Sequence, residues 1–252
     1  MEVLKVNDLS KVYNSFKGAK EVTALHGINL SVRRGDFVGI MGPSGSGKTT
    51  LLNLLSGIDQ CTSGEIFIED KNITNLSKEE MALFRRHSVG YVFQDFNLLD
   101  SLTISENISL PLILDKIDPA TINGKVQELA AFFEIEHIQN KYPYHISGGQ
   151  KQRAAVARAL INDPAIVFAD EPTGNLDSKS SKNIMNTLKK INEERNSTVF
   201  MVSHDPFAAS FCKRIIFIKD GAIKMEIASS GDRKEFFDRI LEAESMIGGE
   251  LQ

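Results

Sequence analysis

Two hydrophobic periods divide the chain into sections. Near the amino terminus, residues 3–6, 11–13 and 22–32 alternate apolar with polar positions, which predicts short strands in a partly antiparallel β layer, closed by the turn Arg33-Arg34-Gly35-Asp36. Residues 37–41 are continuously apolar, as a strand buried on both faces requires, and the leucine-rich run 51–55 predicts a helix ended by Gly57 and Asp59. Another alternating strand is predicted at 64–68, a short polar helix at 78–86 and a buried strand at 89–93. From about 98 to 160 strand patterns vanish: Ile104, Ile108, Leu110 and Leu112, then Val126, Leu129, Phe132 and Phe133, mark helices that lead into a long helix at 151–160. Buried strands return at 166–169 and 198–202, joined by a helix at 179–194 whose inner face is Ile184, Leu188 and Ile191. A helix at 206–212, a hairpin of 214–218 and 223–227 turning at Asp220-Gly221, and a final helix at 232–246 complete the pattern.

This succession predicts an α/β fold with a mostly parallel sheet, an N-terminal antiparallel β layer and an inserted helical subdomain. One domain spans 1–252: a core of about 1–96 and 162–229, a helical subdomain of about 97–161, and a C-terminal helix. Residues 14–20 read as a surface loop.

Composition narrows the function classes. At 252 residues, 42% hydrophobic and 25% charged, the chain can bury a full core. A net charge of −4 with dispersed Lys and Arg supplies no basic field for nucleic acid. Cys61 and Cys212 lie far apart without metal-ligand spacing, which suits a reducing compartment. No apolar run is long enough to span a bilayer and the first residues lack signal-peptide sections, so a membrane link is expected through a partner. The final helix is poor in Lys and Arg, so its amphipathicity suits docking on the domain better than lying on a membrane surface.

The candidate chemistry centres on Gly42-Pro43-Ser44-Gly45-Ser46-Gly47-Lys48-Thr49, between the strand at 37–41 and the helix at 51–55. Glycines let successive backbone N–H groups point inward, and the helix start directs its positive end at the same point. Lys48 would reach the β- and γ-phosphates and the Thr49 hydroxyl would ligate Mg²⁺, as the full phosphate-loop pattern prescribes. A Gly/Ser linker is not followed at once by Lys-Thr-Thr-Leu-Leu.

Other candidates stand at strand ends. Asp170 and Glu171 close the apolar run 166–169, and two carboxylates there are costly unless they meet a cation or do chemistry. Asp170 suits the Mg²⁺ shell, and Glu171 suits polarisation of the water that attacks a γ-phosphate. His204 ends the run 198–202 at the same sheet edge and has the reach to contact that phosphate, although a lone His after a strand also reads as structural. Ser147-Gly148-Gly149 before a strong helix forms either a second anion-receptive terminus or a plain cap. On position alone Gln94 reads as a loop glutamine and Tyr13 as a packing tyrosine, though its ring would offer a base about 1–3 kcal/mol of stacking.

Taken together, the phosphate loop at 42–49, Gln94, the signature Ile146-Ser147-Gly148-Gly149-Gln150, the Asp170-Glu171 pair, Asp177 and His204 resemble the ATP-binding subunit of ABC transporters over essentially the whole chain. The resemblance implies a RecA-like core and an ATPase that uses ATP and Mg²⁺. It makes Tyr13 the adenine-stacking residue and Gln94 a contact to Mg²⁺ and water that senses a transmembrane permease. Residues 42–50, including Thr50, become the nucleotide cradle, and His204 the γ-phosphate contact. Two copies would pack head to tail, so that Ser147, Gly148, Gly149 and Gln150 of one close on the nucleotide of the other, with Asp177 near the shared interface. The place implied is the cytoplasmic face of the membrane, held there by the permease.

Tyr142-Pro143 before the signature and the segment from Asp170 to Asp177 look like the branch serving macrolide-exporter, lipoprotein-release and cell-division membrane subunits. Phe168-Ala169, Ile218-Lys219-Asp220-Gly221 and the tail from Phe236-Phe237 to Ile247-Gly248-Gly249 are similar to bacitracin-type antimicrobial-peptide resistance transporters. Ile146 replaces a commoner leucine and Asn175 stands where many relatives have a small residue. Two rival functions remain at this point: a division-type subunit gating a cell-wall hydrolase, and a soluble mechanical ATPase acting on nucleic acid. The short helical insert and the absence of a basic tract weigh against the second.

Overall fold

The computed structural model describes residues 1–13 and 21–248. The surface loop expected at 14–20 and Gly249 of the tail lie outside the described residues.

The first 33 residues supply β1 (Glu2–Tyr13) and β2 (Val22–Arg33), which pair antiparallel. The two strands expected at 3–6 and 11–13 are one. Asp8, at φ 46, and the register shifts around it let a single strand bend without leaving the sheet. After β3 (Phe37–Met41) and α1 (Lys48–Leu55), the chain returns in β4 (Ser63–Ile68) and the two-residue β5 (Lys71–Asn72). These complete a four-stranded sheet ordered β2-β1-β4-β5, whose pairings are all antiparallel. The inner faces of this layer, including Leu4, Leu9, Leu25 and Ile28, are fully buried with Leu51, Leu52 and Leu55 of α1.

The helix α2 (Lys78–Ser88) leads into β6 (Val89–Val92), after which come the helices α3 (Ile104–Leu114), α4 (Pro119–Phe132) and α5 (Gly148–Leu160). Then β7 (Ile166–Asp170), α6 (Ser178–Arg195), β8 (Val199–Val202), α7 (Pro206–Ala209), β9 (Arg214–Lys219), β10 (Ala222–Ala228) and α8 (Arg233–Gly248) follow. They build a six-stranded sheet ordered β10-β9-β3-β8-β7-β6, parallel except for the hairpin strand β10. Strands β3, β7, β8 and β9 are buried on both faces, which is why their sequences run apolar without alternation. The fold is therefore α/β with an antiparallel N-terminal layer and a helical insertion between β6 and β7.

The helix expected at 206–212 stops at Ala209. The Ser210 hydroxyl donates to the Phe207 carbonyl at 2.7 Å, and the next residues turn to reach β9, with the Lys213 N–H donating to the Phe37 carbonyl. Cys61 is half-buried, Cys212 is buried, and both are free thiols. Among the described residues no helix is long and apolar enough to cross a membrane.

Register decides what shares an edge. Ile40 of β3 lies level with Val202 of β8, and Val202 with Asp170 of β7. Val92 of β6 lies level with Ala169 of β7. Gly42, Gln94, Glu171 and His204 are each one or two residues beyond these partners, so they emerge together at the carboxyl ends of neighbouring parallel strands.

Candidate nucleotide site

The phosphate loop is fixed from below and open above. At Gly42, φ is 151 and an added Cβ would stand 1.9 Å from the Ile218 carbonyl oxygen; at Gly47, φ is 99 and a Cβ would stand 2.6 Å from the Ala24 carbonyl oxygen. Glycine is required at both positions because the loop lies directly on β9 and β2. The Ser46 N–H donates to the Pro43 carbonyl, and the Ser46 carbonyl accepts from the Gly221 N–H. In contrast Pro43, Ser44 and Gly45 are exposed, and a Cβ on Gly45 would meet nothing within 4 Å.

Two features of this loop fit an anion. The Ser46 hydroxyl oxygen is buried with no hydrogen-bond partner among the described residues. In addition, α2, α3, α4, α5, α6 and α7 each have an N-cap side chain that accepts from their first-turn N–H groups. The N-cap of α1 is Gly47 and contributes none. The positive end of α1 therefore points into the open loop without a side chain to satisfy it.

Lys48, 9% exposed, donates from Nζ to the carbonyls of Gly42 and Pro43, at 2.8 Å each. Burial pulls its pKa down, while Glu171 and Asp170 oppose that shift. Asp170 responds in the other sense: burial and the adjacent Glu171 carboxylate push its pKa up against the pull of Lys48. This ammonium and carboxylate interact across the loop, each disfavoured in its charged form by burial.

Glu171 has a left-handed backbone at φ 43, an unusual conformation for a non-glycine residue of the kind that gathers at functional sites. Its Oε1 lies 2.9 Å from Nδ1 of His204, so side chains just beyond the ends of the neighbouring strands β7 and β8 meet directly. Both line an open cleft of ≈ 640 Å³ with Thr173, Leu176, Ser203 and Phe207. Gln94 lies beside Gly174, where a Cβ would come within 2.8 Å of its Nε2. Thr49 is exposed in the first turn of α1. Thr49, Gln94 and Asp170 offer only neutral and carboxylate oxygens, which is the donor chemistry of a hard divalent cation such as Mg²⁺.

Tyr13, at the end of β1, is brought beside Thr50, the third residue of α1, and its hydroxyl donates to Asp59 at 2.8 Å. Lys11 Nζ lies 4.6 Å from the ring centroid. Burial and Asp59 raise the phenol pKa. The ring is 39% exposed and held at both its edge and one face.

The Ser147-Gly148-Gly149-Gln150 stretch opens α5 elsewhere. Ser147 accepts from the Gln150 N–H at 3.4 Å and the Gln150 side chain accepts from the Ser147 N–H at 3.0 Å, a reciprocal cap. The neighbours of Gly148 and Gly149 are Leu176, Phe96 and Ser180. The matching caps of α2 and α3 use Glu80 and Glu106, so α5 differs in having a neutral Gln at that position. Asp177 caps α6 through Lys179 and Ser180, and the Ser180 hydroxyl holds its carboxyl below the usual range.

Sequence reasoning missed two side chains that bind this region together. Gln152 of α5 is fully buried and donates to the carbonyls of Pro172, at 2.8 Å, and Phe93, at 3.4 Å. Arg158, its guanidinium pKa lowered by burial, donates to the carbonyls of Phe96 and Asn97. For Arg158, as for Gln152, the sequence offered only its place in the helix expected at 151–160.

Comparison with known proteins joins these features to a family. The model of the ABC transporter family matches residues 25–174. The chain is 55% identical over 251 residues to an uncharacterised ABC transporter ATP-binding protein, YvcR, of Bacillus subtilis, covering 100% of this chain and 97% of that protein. It is 47% identical to the bacitracin export ATP-binding protein BceA of Halalkalibacterium halodurans, covering 99% and 98%. Among solved structures it resembles the dimeric post-hydrolysis state of the ATP-binding cassette MJ0796 bound to ADP and Pi, with a TM-score of 0.82, 42% identity, and coverage of 91% of this chain and 100% of that one. The chain belongs to the ABC transporter family, as an ATP-binding subunit that hydrolyses ATP.

Proposed function

We propose that two copies of this chain close head to tail over two ATP–Mg²⁺ and drive a permease that exports or removes antimicrobial peptides. The observation that carries the sandwich is the contrast between the two helix starts. The α1 terminus is uncapped and open at the phosphate loop, while the neutrally capped α5 terminus starts beside Phe96 and Leu176 of two other loops and Ser180 of α6. A nucleotide cradled by Gly42 to Thr50 rests on one face only, whereas small-molecule sites usually bury most of their ligand. The second copy's Ser147, Gly148, Gly149 and Gln150 supply the missing face, with Asp177 beside the seam.

Within each half, Tyr13 stacks on adenine and Lys48 and the loop N–H groups hold the phosphates. Thr49, Asp170 and Gln94 would hold Mg²⁺, which neutralises charge on the β- and γ-phosphates when bound. Glu171 orients and polarises the attacking water, and His204, held by Glu171 in the present arrangement, contacts the γ-phosphate. Positioning and charge neutralisation supply most of the catalysis.

The permease side of the reading rests on surface chemistry. An open groove of ≈ 480 Å³ beside the Gln94 loop is lined by Tyr91, Phe93, Leu110 and Pro111 with the exposed Ile58 and Leu114, and by Arg85, Arg86 and Arg158. Exposed apolar surface of this kind suits a protein partner, and such a partner would hold the subunit at the cytoplasmic face of the membrane. The peptide substrate class follows from the likeness to a bacitracin export protein. ATP hydrolysis by the purified chain and by Glu171→Gln tests the core of the proposal. The variant is expected to bind ATP and lose at least about a hundredfold in turnover; undiminished turnover would refute the assignment.

A further inference from the structure

Three contacts converge between the segment after β6 and the segment after β7. Gln152 reaches from α5 to the carbonyl just before Gln94 and to the carbonyl just after Glu171. The Gln94 side chain lies against Gly174. Asn175 Nδ2 donates to Asp95 Oδ1 at 2.6 Å and to the Gln94 carbonyl at 3.3 Å. The two acceptors fix which way the Asn175 amide faces, since its oxygen in that place would oppose both.

We propose that Gln152 and Asn175 are positioning residues that clasp the Gln94 loop to the loop of Glu171, so that both side chains are set as one unit. The inference rests on the roles given above to Gln94 and Glu171 and adds the device that aligns them. Glu171 needs such support. Its left-handed backbone persists only where surrounding contacts over-determine it, and the Gly174 N–H to Glu171 carbonyl bond, 2.9 Å, makes the clasped loop a direct continuation of that turn. Gln152 works from inside: its side chain is fully buried, and its Oε1 has no partner among the described residues, so an acceptor is left unsatisfied while the amide donors are placed. Asn175 works from the exposed side. Because α5 begins with the signature residues, movement of that helix is passed through Gln152 to both loops at once.

The test is a donor–acceptor exchange in the full-length chain. Asn175→Asp faces Asp95 with a second carboxylate and is expected to lower kcat for ATP hydrolysis about tenfold, as displacement of a catalytic group does. The KM for ATP should stay within about twofold, since ground-state binding is untouched. Asn175→Asp combined with Asp95→Asn restores the side-chain bond with donor and acceptor exchanged, and kcat should return to within about threefold of the parent. Gln152→Leu should show the same kcat-selective loss. An unchanged kcat in Asn175→Asp, no recovery in the exchanged pair, or a KM that rises as far as kcat falls would each overturn the clasp. Glu171→Gln measured alongside separates the two levels. Full activity there would sink the catalytic assignment itself, whereas its loss together with an indifferent Asn175→Asp would sink the clasp alone.

Discussion

Lys48 and Asp170 show how single side chains divide the work of the site. Each is disfavoured as an ion by burial, and each is partly compensated by the other. Lys48 Nζ now donates to two carbonyls of its own loop, bonds that the proposed site would have it exchange for phosphate oxygens. A charge-assisted contact of this sort contributes about 1.5–3 kcal/mol. Lys48→Ala is therefore expected to weaken ATP binding about 10- to 100-fold in a fluorescence titration, and normal affinity would remove Lys48 from the phosphate site. At this scale legibility depended on chemistry that declares itself by type and neighbours. Lys48, Asp170, Glu171 and His204 stand at ends of apolar runs or inside a glycine motif, and the structure gathers them at one edge. Tyr13 was visible only through the resemblance, because what brings it to Thr50 is the folding of β1 over α1. Gln152 and Arg158 were silent because their partners are carbonyls, which every residue owns and no sequence pattern marks.

At the scale of elements, the helix starts differ in how they are capped. Among the described residues three helices use reciprocal caps, and of those three α5 closes its cap with a neutral glutamine. A glutamate would serve the cap equally well and favour the helix dipole, but would place negative charge where the account puts a phosphate. Gln150→Glu should thus keep or slightly raise thermal stability while reducing ATP turnover. Thr103→Ala, which breaks the equivalent cap on α3, should do the reverse, costing about 0.5–2 kcal/mol of stability with turnover retained. Melting curves and hydrolysis rates on the two variants check this; loss of turnover in Thr103→Ala with none in Gln150→Glu would contradict it. Most elements were readable from hydrophobic period alone, including the change from strands to helices after β6. The failures were local: a bend at Asp8 that joins two strands in one, and a helix cut short at Ala209 by the approach to β9. Both depend on partners distant in sequence.

For the molecule as a whole, the two stretches proposed to face nucleotide open different helices, α1 and α5, of one chain. The phosphate loop is fixed beneath by β2 and β9 and bare above, and the signature residues open a helix of the insertion between β6 and β7. The mostly parallel sheet and the helical insertion followed from the sequence because continuously apolar strands, a crossover helix and a phosphate loop admit few arrangements, whereas the strand order is set by pairings that no sequence pattern marks. The completion of the site by a second copy does not follow from any one chain's core packing, and it is the claim on which the mechanism turns. It is tested most directly by sedimentation of Glu171→Gln with Mg²⁺ and saturating ATP, compared with ADP. The account expects doubling of the mass with one ATP retained per chain, absent with ADP and abolished by adding Ser147→Arg. A chain that stays at monomer mass while saturated with ATP would contradict it.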